Sequence, residues 1–184
     1  KFTFQKFVED IEKSIKIFSD KLGYNPSFFS YPFGEYNLEQ KNYISNNFEF
    51  AFGQHSGVID LNKDRYELPR FPINEKYGEI KRFKEVISYL PLQYKIIKPE
   101  NKFMNDGENP PKMTIEFFED QKNLENINCF SNEGSKWRKT KIILNDNILN
   151  INFSEKFIER RGRINCSLKD ENGWRFSGFQ FVQN

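Results

Sequence analysis

The fold is decided by residues 28–37, which read FFSYPFGEYN. The run opens with apolar residues typical of a buried strand, and Pro32 and Gly34 then fix a tight bend. A helical period precedes it over residues 4–22, and a second helix is predicted over residues 38–46. In α/β folds, active-site loops lie at such strand-to-helix junctions. Two interpretations are open: an ordinary turn, or a loop that aims backbone N–H groups outward, as an oxyanion hole requires.

The segments on either side of this run extend the α/β pattern. Further short apolar runs and one more amphipathic segment follow the second helix. Alternation of helices with short strands favours parallel strand pairing. The additional predicted elements are a strand over residues 48–52, a strand over residues 66–71 and a third helix over residues 79–90.

The character of the sequence changes after Pro91. Residues 96–111 are polar, with Gly and Pro among them, and predict a linker. Residues 112–184 show no helical period, but strand-like runs recur there between polar turns. The runs are residues 112–118, 124–130, 137–144, 149–153, 163–168 and 174–182. We therefore predict an α/β domain over residues 1–95 and a small antiparallel β-sandwich over residues 112–184.

The composition excludes two classes of partner. The chain has 184 residues, with 28 Lys and Arg against 26 Asp and Glu, which gives a net charge of +2. Such a balance lacks the basic footprint of a nucleic-acid-binding protein. No apolar run approaches the roughly 20 residues that a membrane-spanning helix needs. We expect neither a nucleic-acid partner nor a membrane span.

One histidine and two cysteines limit the metal chemistry of the chain. His55, Cys129 and Cys166 are far apart in sequence, so we assign no metal ligand and expect no preformed Cys/His zinc site. The two cysteines lie in predicted strands. They form either one disulfide or two buried thiols, and the sequence leaves both alternatives open.

The quoted run also belongs to a pattern that resembles a known family. A helix ending in Leu22-Gly23, an apolar strand and then SYPFGEYN over residues 30–37 are similar to the polysaccharide deacetylases, the NodB-type fold of carbohydrate esterase family four. Residues 50–59, FAFGQHSGVI, and residues 66–72, YELPRFP, resemble the next two strand ends of that family. The resemblance covers residues 1–90 and implies the C-terminal half of a distorted β/α barrel, followed by an accessory β-domain.

That family removes N-acetyl groups from amino-sugar polymers with the help of a metal. The resemblance implies a divalent metal, zinc in the first place, held by one Asp and two His, with a neighbouring Asp as general base. In the family these groups lie in the barrel half that precedes the first helix of this chain. We therefore expect the metal in a full-length parent protein, no cofactor in these 184 residues and no catalysis by this chain alone.

The resemblance also assigns roles to individual residues. The backbone N–H of Phe33 is the implied oxyanion donor. Arg70 is an implied catalytic residue, although a structural ion pair explains it equally well. We expect His55 to be a solvated loop residue. The implied sugar-binding residues are Tyr31, Pro32, Gly34 and Tyr36.

The implied partner is a polysaccharide or peptidoglycan glycan, and the parent protein would act on exported or cell-surface material. A half-barrel would also expose apolar surface, so we expect the chain to cover it either by self-association or by packing its β-domain there. Three hypotheses for the function follow: an inactive part of a deacetylase, a non-catalytic carbohydrate-binding or interaction module, and a structural domain without a ligand. Trp137 and Trp174 could stack on sugar rings, but apolar residues alternate with them and predict that at least one of them belongs to the core.

Overall fold

The structure is a computed structural model that describes residues 3–60, 62–105 and 107–183. It is a mixed α/β fold with few helices and several sheets, and its described part contains no closed barrel. The chain forms two compact units. Unit 1 comprises Lys1–Gln54 and Leu61–Leu68, and unit 2 comprises His55–Asp60 and Pro69–Asn184.

The first helix of unit 1, α1, spans Phe4–Leu22 and confirms the prediction made from the apolar period. Its N-cap Thr3 accepts a hydrogen bond on Oγ1 from the Lys6 N–H at 3.3 Å. At the other end, Gly23 has a φ of 80° and donates its N–H to the Ser19 carbonyl at 2.8 Å. Both helix ends are therefore capped by residue types that favour these positions.

A helix connects two parallel strands in unit 1. Strand β1, Phe28–Ser30, pairs in parallel with β2, Phe50–Phe52, and α2, Leu38–Asn47, connects them. Asn37 begins α2 with a capping box: its Oδ1 accepts the Gln40 N–H at 2.8 Å, and its own N–H donates to Gln40 Oε1 at 3.0 Å. This order is the predicted α/β alternation.

One further parallel bridge lies beside β2, where the sequence predicts a strand over residues 66–71. The Leu68 N–H donates to the Ala51 carbonyl, and the Gly53 N–H donates to the Leu68 carbonyl, both at 2.9 Å. The predicted strand is wrong in length, because only this single bridge forms. Pro69 follows immediately and has no N–H to continue the ladder.

The core of unit 1 is largely aromatic. Its buried residues are Phe7, Ile11, Tyr31, Tyr36, Ile44, Phe48 and Ala51. Phe28 on β1 is 63% exposed instead, and its ring stacks on Phe50 with 5.6 Å between the centroids. Within the described residues β1 pairs only with β2, so its other edge has no partner strand. The self-association expected at such an edge stays a prediction.

Unit 2 consists mainly of antiparallel strands. They are β3 Leu90–Pro91, β4 Ile96–Lys98, β5 Phe103–Met104, β6 Met113–Glu116, β7 Asn128–Ser131, β8 Arg138–Lys139, β9 Lys141–Asn145, β10 Ile148–Asn152, β11 Arg161–Asp170 and β12 Gly173–Gln183. One sheet has the order β4-β6-β10-β9, and the other has the order β3-β12-β11-β7-β8, with β5 also paired to β12. Buried side chains from both sheets form one core, which is the arrangement expected for two sheets packed face to face.

A disulfide joins two central strands of this core. Cys129 on β7 and Cys166 on β11 lie directly opposite each other in the antiparallel register. They are bonded, with 4.1 Å between their Cα atoms, and both are fully buried. Of the two alternatives that the sequence leaves open, the structure therefore has the bridge.

Two predicted elements before β6 differ from the structure. Helix α3, Ile80–Ile87, is shorter than the helix predicted over residues 79–90, because a proline at position 91 disfavours helical backbone at Leu90. Leu90 pairs with Arg175 on β12 instead. Residues 96–111, predicted as a linker, contain β4 and β5, so the linker prediction is wrong.

The boundaries between the two units also differ from the predicted domain boundary near residue 95. The division falls after Gln54, after Asp60 and after Leu68. The strands that attach the segment after Leu68 to unit 2 are only two or three residues long. Runs of that length give too little periodicity to be distinguished from a polar loop. Beyond residue 112, the described residues contain 3₁₀ turns but no α-helix, in agreement with the prediction.

Candidate functional site

The loop predicted as the site follows β1 directly. The Tyr31 N–H donates to the Phe52 carbonyl at 3.0 Å, and a 3₁₀ turn then spans Pro32–Gly34. Phe33 and Gly34 both have left-handed backbone, with φ of 58° and 68°. A Cβ on Gly34 would lie 2.4 Å from the Gln54 backbone nitrogen, so this position requires glycine. The bend predicted from Pro32 and Gly34 is therefore present and tightly packed.

The side chains of this loop point in two directions. Pro32 and Phe33 are exposed, and the Phe33 side chain is 62% exposed. Tyr31 and Tyr36 are only 1% and 5% exposed, and their rings stack on each other with 4.4 Å between the centroids. The prediction that these two tyrosines line a sugar groove is wrong, because both rings are part of the core. Oxyanion binding by the Phe33 N–H stays a prediction.

A buried ionic cluster lies beside the two tyrosines. Lys41 on α2 is 8% exposed, and its Nζ lies 2.7 Å from Asp64 Oδ2 and 3.4 Å from Glu67 Oε2. Tyr36 donates its hydroxyl to the same Glu67 oxygen at 2.9 Å. The Tyr31 hydroxyl is buried and has no hydrogen-bond partner among the described residues. The cluster joins α2 to the segment that carries Leu68.

The charges of this cluster change the acidity of its members. Burial, followed by the charge of Glu67, raises the pKa of Tyr36 well above 10.0. Burial would lower the pKa of Lys41, but the carboxylates of Glu67 and Asp64 outweigh it and raise that pKa above 10.5. Burial, then Asp64 and Glu67, also raise the pKa of Tyr31. The raised pKa values keep all three groups protonated near neutral pH.

The free energy of unfolding of unit 1 should therefore decrease above about pH 10. Folded Tyr36 and Lys41 hold protons that the unfolded chain releases from their ordinary pKa values of 10.0 and 10.5 upward. Their contribution to stability is complete below pH 10.0 and is lost as the pH rises through the higher folded-state pKa values. Urea unfolding followed by far-UV circular dichroism measures this, because α1 and α2 hold most of the helical residues.

A pair of tyrosine variants tests the cause. Tyr36→Phe should flatten the alkaline decrease, since the ionisable hydroxyl is gone. Tyr24→Phe is the matched control, because Tyr24 is 62% exposed and should leave the pH profile unchanged. Equal alkaline slopes in the wild type and in Tyr36→Phe would contradict the assignment.

The remaining predicted residues, His55 and Arg70, belong to unit 2. Arg70 is exposed, and its backbone N–H donates to the His55 carbonyl at 3.1 Å. Unit 1, which holds the Tyr31 loop, does not include Arg70. A catalytic role for Arg70 stays a prediction, and so does the solvated-loop role of His55, which is half-buried.

The metal implied by the family resemblance has no matching donor set in this chain. Among residues 3–60, 62–105 and 107–183, no group of three or more His, Cys, Asp or Glu is placed to hold an ion. Both cysteine sulfurs are bonded to each other, and the chain has one histidine. The residues present therefore do not fit a zinc site of one Asp and two His.

Sequence reasoning missed a polar cleft in unit 2. The cleft has a volume of about 510 Å³ and lies where the segment after β6 meets the turn between β11 and β12. It is lined by Gln93, Phe118, Asp120, Gln121, Lys122, Asn123, Asp170, Glu171, Asn172 and Arg175. The turn at residues 170–173 is visible in the sequence, but nothing in the sequence indicates that residues 118–123 lie beside it.

Arg175 is held in place at this cleft. Its Nε donates to Asp170 Oδ2 at 2.5 Å, and its Nη1 donates to the Pro91 carbonyl at 3.1 Å. The hydrogen bond from Arg175 makes the largest contribution to lowering the pKa of the Asp170 carboxyl below its usual value. Asp170 Oδ1 in turn accepts the backbone N–H groups of Asn172 and Gly173. These bonds use two of the five N–H groups of the guanidinium, so the fixed side chain keeps donors for a ligand.

Both tryptophans are surface residues. Trp137 is 54% exposed and Trp174 is 47% exposed. The prediction that at least one of them lies in the core is wrong, because each occupies the outer face of its strand or turn. Lys169 Nζ lies 5.9 Å from the ring centroid of Trp174. Trp174 precedes Arg175 on β12, and successive strand residues point to opposite faces of a sheet, which explains why Trp174 does not line the cleft.

Comparisons with protein-family models, with curated proteins and with solved structures give no match. Among the described residues, no helix combines the length and the apolar character needed to cross a bilayer.

Proposed function

We propose that this chain is a glycan-binding relative of the polysaccharide deacetylases and does not itself remove N-acetyl groups. In this proposal, unit 1 corresponds to part of the C-terminal half of a deacetylase β/α barrel. Unit 2 corresponds to the accessory β-sandwich. The glycan would be a polymer of N-acetylated amino sugars, such as peptidoglycan or a related polysaccharide.

The observation that carries this proposal is the loop after β1. It follows a strand that pairs in parallel with β2, and it directly precedes the connecting helix α2. Left-handed backbone at Phe33 and Gly34 turns the loop sharply at the carboxyl end of the strand. Parallel α/β proteins bind their ligands at that end of their strands.

The chemistry of the side chains supports a binding role without catalysis. Hydrolysis of an amide needs an activated water, which the family obtains from a metal. The family's metal site uses two histidines, whereas this chain has one. The carboxylates of Asp64 and Glu67 are engaged with Lys41, so they are not free to serve as a general base. A single backbone donor is worth about 3 kcal/mol in such reactions, far less than amide hydrolysis requires.

Two measurements on the same sample test the proposal. Isothermal titration calorimetry of the chain with N-acetylchitotetraose should show binding. An enzymatic acetate assay with added zinc should detect no acetate above the level in buffer alone. Maltotetraose, which carries no N-acetyl group, serves as the specificity control. Catalytic acetate release would overturn the non-catalytic assignment, and absence of binding to any N-acetylated oligomer would overturn the glycan assignment.

A further inference from the structure

We propose that the polar cleft of unit 2 is the binding site for an uncharged sugar segment. The inference rests on the proposed function in one respect, the choice of a glycan as ligand, and it goes further by locating the site. The described residues that line the cleft belong to unit 2. The cleft and the loop after β1 therefore belong to different units, and in this inference the loop supports the likeness to the deacetylases while the cleft binds the sugar.

The size of the cleft suits a short oligosaccharide. Its volume of about 510 Å³ lies within the range of roughly 300–1,000 Å³ typical of small-molecule sites. The cleft is also an open depression at the surface, which allows a polymer to pass through it. Deep, closed pockets would admit only a free monosaccharide or a chain end.

The charges of the lining residues argue against an anionic ligand. Asp170 and Arg175 neutralise each other through their hydrogen bond. Asp120 and Glu171 then outnumber Lys122, which leaves the cleft with a net negative charge. A phosphate or carboxylate ligand would be repelled by that charge. A neutral ligand with many hydroxyl groups would not be repelled.

The hydrogen-bonding groups fit hydroxyls in particular. A sugar hydroxyl both donates and accepts, and it is best served by donors and acceptors placed side by side. The cleft supplies amides on Gln93, Gln121, Asn123 and Asn172. The positioned guanidinium of Arg175 supplies donors, and the carboxylates of Asp120 and Glu171 supply acceptors. Because Arg175 is already held by two hydrogen bonds, its side chain loses little conformational entropy when a ligand binds.

One aromatic ring completes the match. Phe118 is 38% exposed and is the one aromatic residue among the described residues that line the cleft. Lys95 Nζ lies 5.9 Å from the centroid of this ring. In our proposal the part of the ring that stays exposed packs against the C–H side of a sugar, while the polar groups serve the hydroxyls. An apolar peptide would need more than one such surface. The combination of one ring with many planar polar side chains therefore favours carbohydrate over peptide.

The test compares two phenylalanine variants and one arginine variant in the full chain. Phe118→Ala and Arg175→Lys should each weaken binding of N-acetylchitotetraose about tenfold. Phe130→Ala is the matched control, because Phe130 is also exposed in unit 2 but does not line the cleft, and its dissociation constant should equal that of the wild type. Tryptophan fluorescence during urea unfolding confirms that each variant is folded. Amide NMR shifts during the titration should concentrate at residues 118–123 and 170–175.

The outcomes separate this inference from the proposed function. The cleft would be overturned as the site if the changes in amide chemical shift were confined to residues 31–36 and Phe118→Ala bound the oligosaccharide as tightly as the wild type. The proposal that the chain binds a glycan would still stand. No binding of any oligomer would overturn both. The third experiment is a titration with calcium chloride. Saturable changes in the amide chemical shifts of the cleft residues, together with loss of sugar binding, would show a cation site and overturn the inference.

Discussion

Replacing Cys129 and Cys166 together by alanine should lower the free energy of unfolding of unit 2 by about 4 kcal/mol. The disulfide joins residues 37 positions apart, and closing a loop of that size removes roughly this much conformational entropy from the unfolded chain. Both sulfurs are completely buried, so their removal also leaves unfilled space between β7 and β11. Urea unfolding followed by tryptophan fluorescence measures the loss, because both tryptophans lie in unit 2.

A reductant provides the control for this prediction. Dithiothreitol should shift the unfolding midpoint of the wild type in the same direction, and it should leave the double alanine variant unchanged. Equal midpoints for the oxidised wild type and the double variant would contradict the prediction. The far-UV signal of α1 and α2 should unfold at the same urea concentration in both proteins if the effect is confined to unit 2.

Lys41→Met should lower the free energy of unfolding of unit 1 by about 2 kcal/mol. The substitution keeps the length of the side chain but leaves Asp64 and Glu67 without their cation in a mostly buried place. A fully buried pair would cost more when broken, but the Asp64 side chain is 36% exposed and water compensates part of the loss. Far-UV circular dichroism during urea unfolding reports on this unit.

The matched control for Lys41→Met is Lys16→Met on α1. Lys16 also forms an ion pair with an aspartate, at 2.8 Å from Asp20 Oδ2, but its side chain is 75% exposed. Such a pair contributes at most about 0.5 kcal/mol. Similar small losses in both variants would show that the Lys41 cluster is not a stabilising feature of unit 1.

The helical elements could be predicted well because their signals are local. The apolar period over residues 4–22 and the capping residues Thr3 and Gly23 act within one or two turns of the chain. The long strands β11 and β12 were also predictable, since alternation over many residues distinguishes a strand from a loop. Strands of two or three residues depend on a partner that is distant in sequence, and their own residues carry no such signal.

The site was only partly predictable for a related reason. Pro32 and Gly34 specify the bend themselves, so the loop conformation follows from the sequence. The sequence does not indicate on which side of the bend each aromatic ring lies, and Tyr31 and Tyr36 turn into the core whereas Phe33 turns outward. The cleft was not predictable, because it exists only where two segments about fifty residues apart come together.

The path of the backbone has a consequence for the ancestry of the molecule. The chain passes from one unit to the other three times, at Gln54, Asp60 and Leu68, whereas joining two genes end to end produces a single passage. Leu68 bridges to Phe52 in unit 1, and Gly57 bridges to Ser177 in unit 2. Each unit therefore contains a short segment that lies between two segments of the other unit in the sequence. A simple end-to-end fusion of two domains therefore does not account for this path, and no single cut in the chain separates the two units.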